Sequence, residues 1–176
     1  MNIFKKIYRI CMKKVSPIKF AKKVGVNFGV NFNIYGKIEW GTEPWIITIG
    51  NNVYLTDGIK FLTHDGGTLL FRSSVPDLEI TKPIKIGNNV YIGNNVILLP
   101  GISIGDNCII GAGSVVSKSI PSNCVAAGVP ASKIKTIDEY FNKISNESLH
   151  VGNLKGKKKD DELKKIYGYN KKNSIY

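Results

Sequence analysis

Histidine is scarce in this chain of 176 residues, which has two, His64 and His150. A zinc centre of three imidazoles, such as a metal hydratase requires, is therefore excluded. Cysteine is nearly as rare, and the three present, Cys11, Cys108 and Cys124, are odd in number and lack metal-binding spacing. No metal cofactor is expected. No apolar run is long enough to cross a bilayer. A secretory leader is not expected either, because Lys and Arg interrupt the N-terminal apolar residues and no small-residue cleavage site follows. Acidic residues are missing from the first 23 positions, which hold eight Lys or Arg. The net charge of +12 belongs to the two ends, since residues 24–132 carry six basic against seven acidic side chains and residues 133–176 eleven against six. No nucleic-acid partner is expected, because neither zinc-finger spacing nor an RNA-recognition aromatic motif accompanies that charge.

What the chain does have is a period of six. Aliphatic residues recur at Ile86, Ile92, Leu98, Ile104, Ile110 and Val116, and a second set follows four positions after each at Val90, Val96, Ile102, Cys108, Ser114 and Ile120. A strand alternates every two residues and a helix every 3.6, so neither keeps both sets on one face over six repeats. A chain that turns after each short strand does. Gly87, Gly93, Gly105 and Gly111 follow members of the first set, the first three with Asn88 and Asn89, Asn94 and Asn95, and Asp106 and Asn107 next, and Gly and Asn tolerate the positive φ of tight corners. Three hexads make one triangular coil of about 18 residues, and stacked coils pair as parallel strands. Cys108 and Cys124 then serve as small inward filler.

The pattern extends back through Phe28, Phe32, Ile34 and Ile38, then Ile49, Val53, Leu55, Ile59 and Phe61, with interruptions at 39–48 and about 65–83. A solenoid can eject such insertions at a corner, where they commonly carry binding function. The length suits one main domain, the β-helix at 24–135. Residues 1–23 read as a basic amphipathic helix, with Ile3, Ile7, Ile10 and Cys11 on one side. Such a helix either caps the open end of the solenoid or makes peripheral contact with an anionic membrane surface. Thr136 and Glu139 form a capping-box signature for a helix at 136–149, and the Lys-, Asn- and Gly-rich residues 150–176 read as a largely disordered tail, with a helical turn near 163–167.

The segments KPIKIGNNVYIGNNVILLPGISIGDNCIIGAGSVVSKSIP and VAAGVPASKI resemble the hexapeptide-repeat O-acetyltransferases, the group of galactoside, maltose and serine acetyltransferases. The likeness covers about residues 24–137. FLTHDGG is most similar to members that acetylate bacterial surface polysaccharides. The resemblance implies an all-β fold, a left-handed parallel β-helix with helices at its ends. It also implies a cytoplasmic homotrimer with intersubunit active sites, acetyl-CoA as donor and a saccharide as acceptor.

Within that resemblance His64 matches the catalytic histidine. Imidazole can take the proton of a sugar hydroxyl as it attacks the thioester and then protonate the departing thiolate. On its own, a histidine beside a loop is more often an ordinary surface residue. Asp65, next in sequence, and Asp57, one strand earlier, are candidates to orient the ring. Neighbouring side chains on a strand point oppositely, so Asp65 needs the corner to bend it back. Matching positions assign Asn94, Ala112, Ser117, Lys118 and Lys135 to the coenzyme, with the lysines at its phosphates. Glu43 and Trp45, with Trp40, are candidates for the sugar, the carboxylate accepting hydroxyl hydrogen bonds and an indole covering an apolar ring face. The plain alternative is a turn glutamate with packed indoles. Arg72 in the long insertion reads as a solvated charge, and Tyr91 stands where many relatives have Trp. An amino-sugar N-acetyltransferase and a non-catalytic β-helix assembly module are the alternative functions.

Overall fold

The computed structural model describes residues 15–169. It is a three-sided parallel β-helix. Its strands, in chain order, are β1 (Asn27–Phe28), β2 (Asn33–Ile34), β3 (Ile38–Glu39), β4 (Ile47–Ile49), β5 (Val53–Leu55), β6 (Ile59–Phe61), β7 (Ile84–Ile86), β8 (Val90–Ile92), β9 (Ile97–Leu98), β10 (Ser103–Ile104), β11 (Cys108–Ile110), β12 (Val115–Val116), β13 (Cys124–Gly128) and β14 (Ala131–Thr136). The first sheet stacks β1, β4, β7 and β10, the second β2, β5, β8, β11, β13 and β14, and the third β3, β6, β9 and β12. All neighbours pair parallel except β13 and β14, which close the second sheet as an antiparallel pair.

Register explains the period. Ile49, Ile86 and Ile104 align in the first sheet, Leu55, Ile92, Ile110 and Ala126 in the second, and Phe61, Leu98 and Val116 in the third. Every member of both six-residue sets is buried. Each fully buried aliphatic side chain contributes about 1.5–3 kcal/mol, so the stack of columns is the main source of stability. Ser114, the polar member, is satisfied by donating to the Gly111 carbonyl at 2.6 Å and accepting from the Gly128 amide at 3.2 Å.

The corners divide their work differently from the expectation. Positive φ falls on asparagines, Asn31, Asn52, Asn89, Asn107 and Asn123, all between 53° and 62°. Their carboxamides form a ladder, each donating to the next along the chain at 2.9, 2.9, 3.0 and 2.9 Å. The glycines before them serve close approach instead. A Cβ at Gly87 would lie 2.4 Å from Asp106 Oδ1 and 2.8 Å from the Gly105 carbonyl carbon, so the coils could not stack at their present spacing. Gly87→Ala should therefore destabilise the fold by about 1–3 kcal/mol. Gly66→Ala, where a Cβ meets nothing within 4 Å, is the control. Thermal melts of the two variants side by side test this, and equal melting temperatures would refute it.

Helix α1 (Pro17–Val24) buries Phe20 and Ala21 against the same core. Ile3, Ile7, Ile10 and Cys11 lie outside the described residues. Trp40 stacks on Phe61 with ring centroids 4.9 Å apart, and Phe32 lies 6.5 Å from Trp40.

The chain divides into two compact units, 1–138 and 139–176. The second unit continues α2 (Ile137–Asn146) and contains α3 (Gly156–Ile166), neither of which buries a residue. Helix α3 corrects the reading of 150–176 as largely disordered. Lys164 pairs with Asp160 and Lys165 with Glu162 at 3.1 Å, so the basic run carries acids at the i,i+3 and i,i+4 spacings that support a helix. No helix among the described residues is long and apolar enough to cross a membrane.

Candidate active site

His64 stands where the chain leaves the third sheet. The insertion that follows is closed at its neck by antiparallel bridging of His64 to Thr81, with the Asp65 amide donating to the Ile80 carbonyl and the Lys82 amide to the Thr63 carbonyl, both at 2.9 Å. The loop that follows β3 in the preceding coil carries Thr42 and Glu43 to the same corner. Glu43 Oε2 lies 3.1 Å from His64 Nδ1, and Thr42 Oγ1 lies 3.0 Å from the same nitrogen. Thr42 and Thr63 each donate a hydroxyl hydrogen bond to the Glu43 carboxylate at 2.6 Å, on Oε1 and Oε2 respectively.

These contacts decide the tautomer. A carboxylate only accepts, and the Thr42 proton is already committed to Oε1, so both partners of Nδ1 require it to carry hydrogen. Nε2, across the ring, then keeps a lone pair for use as a base. Hydrogen bonds from Thr42 and Thr63, and the His64 ring beside it, hold the Glu43 carboxyl at about 2 against an ordinary 4.5, with desolvation opposing them. Glu43 is therefore anionic at neutral pH. The His64 side chain is 41% exposed and that of Glu43 24%, so the ring is reachable while its partner is sheltered.

Asp65 takes no part in this arrangement. Its carboxylate turns into the insertion and accepts from the Gly67 amide at 2.9 Å, capping the 3-10 turn Gly66–Phe71. The strand alternation that made Asp65 a doubtful partner for the ring operates here, and Glu43 takes the place expected of it. Asp57 is engaged as well, accepting from the Lys37 amide at 2.6 Å to brace a corner. Arg72 is not a free charge, since it pairs with Glu79 at 2.6 Å and donates to the Leu78 carbonyl at 3.3 Å, stapling the insertion to itself.

The residues assigned to the coenzyme lie in three places. Ser117 and Lys118 follow β12 at the corner that His64 occupies after β6, two strand spacings of ~4.8 Å further along. Asn94 and Ala112 share the corner between the second and third sheets, where the Gly113 amide donates to the Asn94 carbonyl at 2.7 Å and Asn94 Oδ1 accepts from the Asp57 amide at 3.1 Å. Lys135 is half-buried on β14 opposite Val125. Trp45 sits beside Glu43 in the 3-10 turn Pro44–Ile46 and is 64% exposed, whereas Trp40 is buried. Thr42 and Thr63 were missed by the sequence reading. Thr63 did carry a signal, because it continues the inward phase of Ile59 and Phe61 and is fully buried.

Residues 83–118 match the family model described as bacterial transferase hexapeptide, six repeats. Protein CapG of Staphylococcus aureus is 43% identical over 169 residues, covering 95% of each chain. The chain belongs to the hexapeptide-repeat acyltransferases. Other members share the repeat body with it. Galactoside O-acetyltransferase of Escherichia coli is 39% identical over 130 residues, which span 71% of this chain and 61% of that enzyme. Among solved structures, a maltose O-acetyltransferase from Clostridium difficile superposes with a TM-score of 0.53 at 29% identity, over 75% of this chain and 83% of that one. A galactoside acetyltransferase in complex with coenzyme A gives the same score and identity over 79% and 76%. No group of three or more metal-ligating side chains occurs among the described residues.

Proposed function

We propose that this hexapeptide acyltransferase moves an acetyl group from acetyl-CoA to a saccharide hydroxyl, in the building of a surface polysaccharide. The observation that carries the reading is the Glu43–His64 pair at the neck of the projecting insertion, which assigns the hydrogen of the neutral ring to Nδ1 and leaves Nε2 the lone pair of that tautomer. In the proposed step Nε2 takes the hydroxyl proton while the oxygen attacks the thioester carbonyl. The tetrahedral intermediate collapses, the carbon–sulfur bond breaks, and the imidazolium returns its proton to the thiolate. Glu43 stabilises the imidazolium and keeps the ring in register, a positioning role in place of the sugar contact first expected of it.

The prism winds left-handed in this proposal, as the family resemblance implies, and assembles as a homotrimer. Its support is the division of four of the five coenzyme residues between two corners of one prism. Asn94 and Ala112 on one edge and Ser117 and Lys118 on another flank the third sheet, an arrangement that a cleft between neighbouring subunits would complete. The outward column of the second sheet is apolar for a surface, with Tyr54 and Tyr91 37% and 44% exposed, and suits such a contact. Trp45 offers an indole face to the acceptor. The basic N-terminal segment is proposed to touch the inner membrane surface, keeping a cytoplasmic enzyme near its acceptor.

Mass spectrometry of products formed from acetyl-CoA and a panel of sugars tests the proposal. An adduct of one acetyl group that is lost in mild alkali marks an ester and supports it; an alkali-stable amide would show transfer to nitrogen instead. Lys135→Ala should raise the coenzyme A dissociation constant about 10-fold in calorimetry through loss of a charge-assisted phosphate contact. An unaltered constant would remove Lys135 from the donor site.

A further inference from the structure

Beside the catalytic pair lies a groove whose lining includes neither His64 nor Glu43. It has a volume of about 530 Å³ and runs between the end of α1 and the loop carrying Glu43, lined by Phe20, Lys23, Trp40, Thr42, Pro44 and Trp45. That volume falls among small-molecule sites, which span roughly 300–1,000 Å³. Phe20 and Trp40 form a buried floor, and the Trp45 indole stands exposed at the rim.

The sequence builds this wall with a specific device. Gly25 ends α1 at φ 101°, donating to the Ala21 and Lys22 carbonyls. A Cβ there would lie 3.1 Å from the Trp45 Cβ. Glycine is thus needed twice over, for its backbone angle and for the seat it leaves Trp45. An indole held by its Cβ but bare across its ring is a platform rather than core filler. Aromatic faces of this kind accept the C–H face of a pyranose, while a lysine rim supplies hydrogen bonds to hydroxyls.

Thr42 joins the two places, lining the groove while its hydroxyl oxygen sits 3.0 Å from His64 Nδ1. The reacting hydroxyl must approach Nε2, across the ring from that contact. The groove's lining includes Thr42 but neither His64 nor Glu43, so a sugar seated on Trp45 lies beside the imidazole rather than on it, and a second, linked residue is the one placed to present its hydroxyl to Nε2. We infer that the groove is a second saccharide subsite, so that the acceptor is an oligosaccharide of at least two residues with its non-reacting pyranose on Trp45. The inference rests on the acetyl-transfer reading for the identity of the neighbouring site.

The test compares the full-length enzyme with Trp45→Ala, which keeps the Cβ against Gly25, and Trp45→Phe. Acceptors are methyl galactoside and methyl glucoside against lactose, cellobiose and cellotetraose. The wild-type enzyme should favour at least one oligosaccharide over its methyl glycoside by about 10-fold in kcat/KM, a preference lost in Trp45→Ala and largely kept in Trp45→Phe. Calorimetric titration of the same sugars without acetyl-CoA gives a readout independent of transfer. Oligosaccharide binding that Trp45→Ala abolishes, with no transfer to any sugar, would uphold the subsite and refute the acetyl-transfer reading. Transfer with equal kcat/KM for single and linked sugars, a preference untouched by Trp45→Ala, or neither transfer nor binding for all five sugars would overturn the subsite.

Discussion

His64→Ala should lower turnover by about 10²- to 10⁴-fold, the usual worth of a positioned general base, while coenzyme A binds with a dissociation constant close to that of the unaltered enzyme. The separation follows from geometry. Among the described residues the ring is held at Nδ1, by Thr42 and Glu43, and the residues proposed for the donor's phosphates and arm lie about two coils away or on another edge. Removing the imidazole takes away the proton acceptor and leaves the prism intact, because His64 is exposed and no core column includes it. Rapid-quench measurement of acetyl transfer together with calorimetry of coenzyme A would separate the two effects. Unchanged turnover would remove His64 from the chemistry, and a parallel loss of coenzyme affinity would assign it to donor binding.

The solenoid was legible because its inward residues obey a short, strict spacing. All twelve hexad positions named from the sequence are buried, since each coil repeats the same three turns and the stack tolerates no slip. The corner chemistry was half legible. Gly and Asn marked the turns, but which carried positive φ depends on how closely the coils approach, and Gly87 is explained by Asp106 in the next coil. The orienting carboxylate was misplaced for a related reason. Asp65 is adjacent to His64 in sequence, whereas Glu43 becomes adjacent only when β3 stacks on β6, and the loop between β3 and β4 breaks the regular spacing that would have aligned the two positions by count. Helix α3 was hidden by composition, because a lysine-rich stretch reads as solvated until its acids are placed on the helical face they share with Lys164 and Lys165.

Glu43→Gln should cost turnover about 10²-fold or more, through the tautomer rather than through charge alone. Oε2 now accepts from both Thr63 and His64 Nδ1, and Oε1 accepts from Thr42. An amide places a donor on one side of this set. With its nitrogen toward the ring, Nδ1 must accept, the proton moves to Nε2, and the base is lost. With its nitrogen toward Thr42, that hydroxyl must turn its proton elsewhere, and Nδ1 is the nearest acceptor. Either arrangement disfavours the reactive tautomer, so kcat should fall far more than KM rises, and raising the pH should not restore it. A loss confined to KM would mean that Glu43 acts on the acceptor sugar after all. The same substitution has a signature in stability. The folded-state value of about 2 lies below the ordinary 4.5, so folding favours the carboxylate, and its contribution is complete above pH 4.5 and is lost as the pH falls from there towards 2. Thermal melts of the unaltered enzyme should therefore decline more steeply than those of Glu43→Gln across that window. Parallel declines would show that the two threonine hydroxyls and the imidazole do not hold the charge in solution, and the tautomer argument would lose its anchor with them.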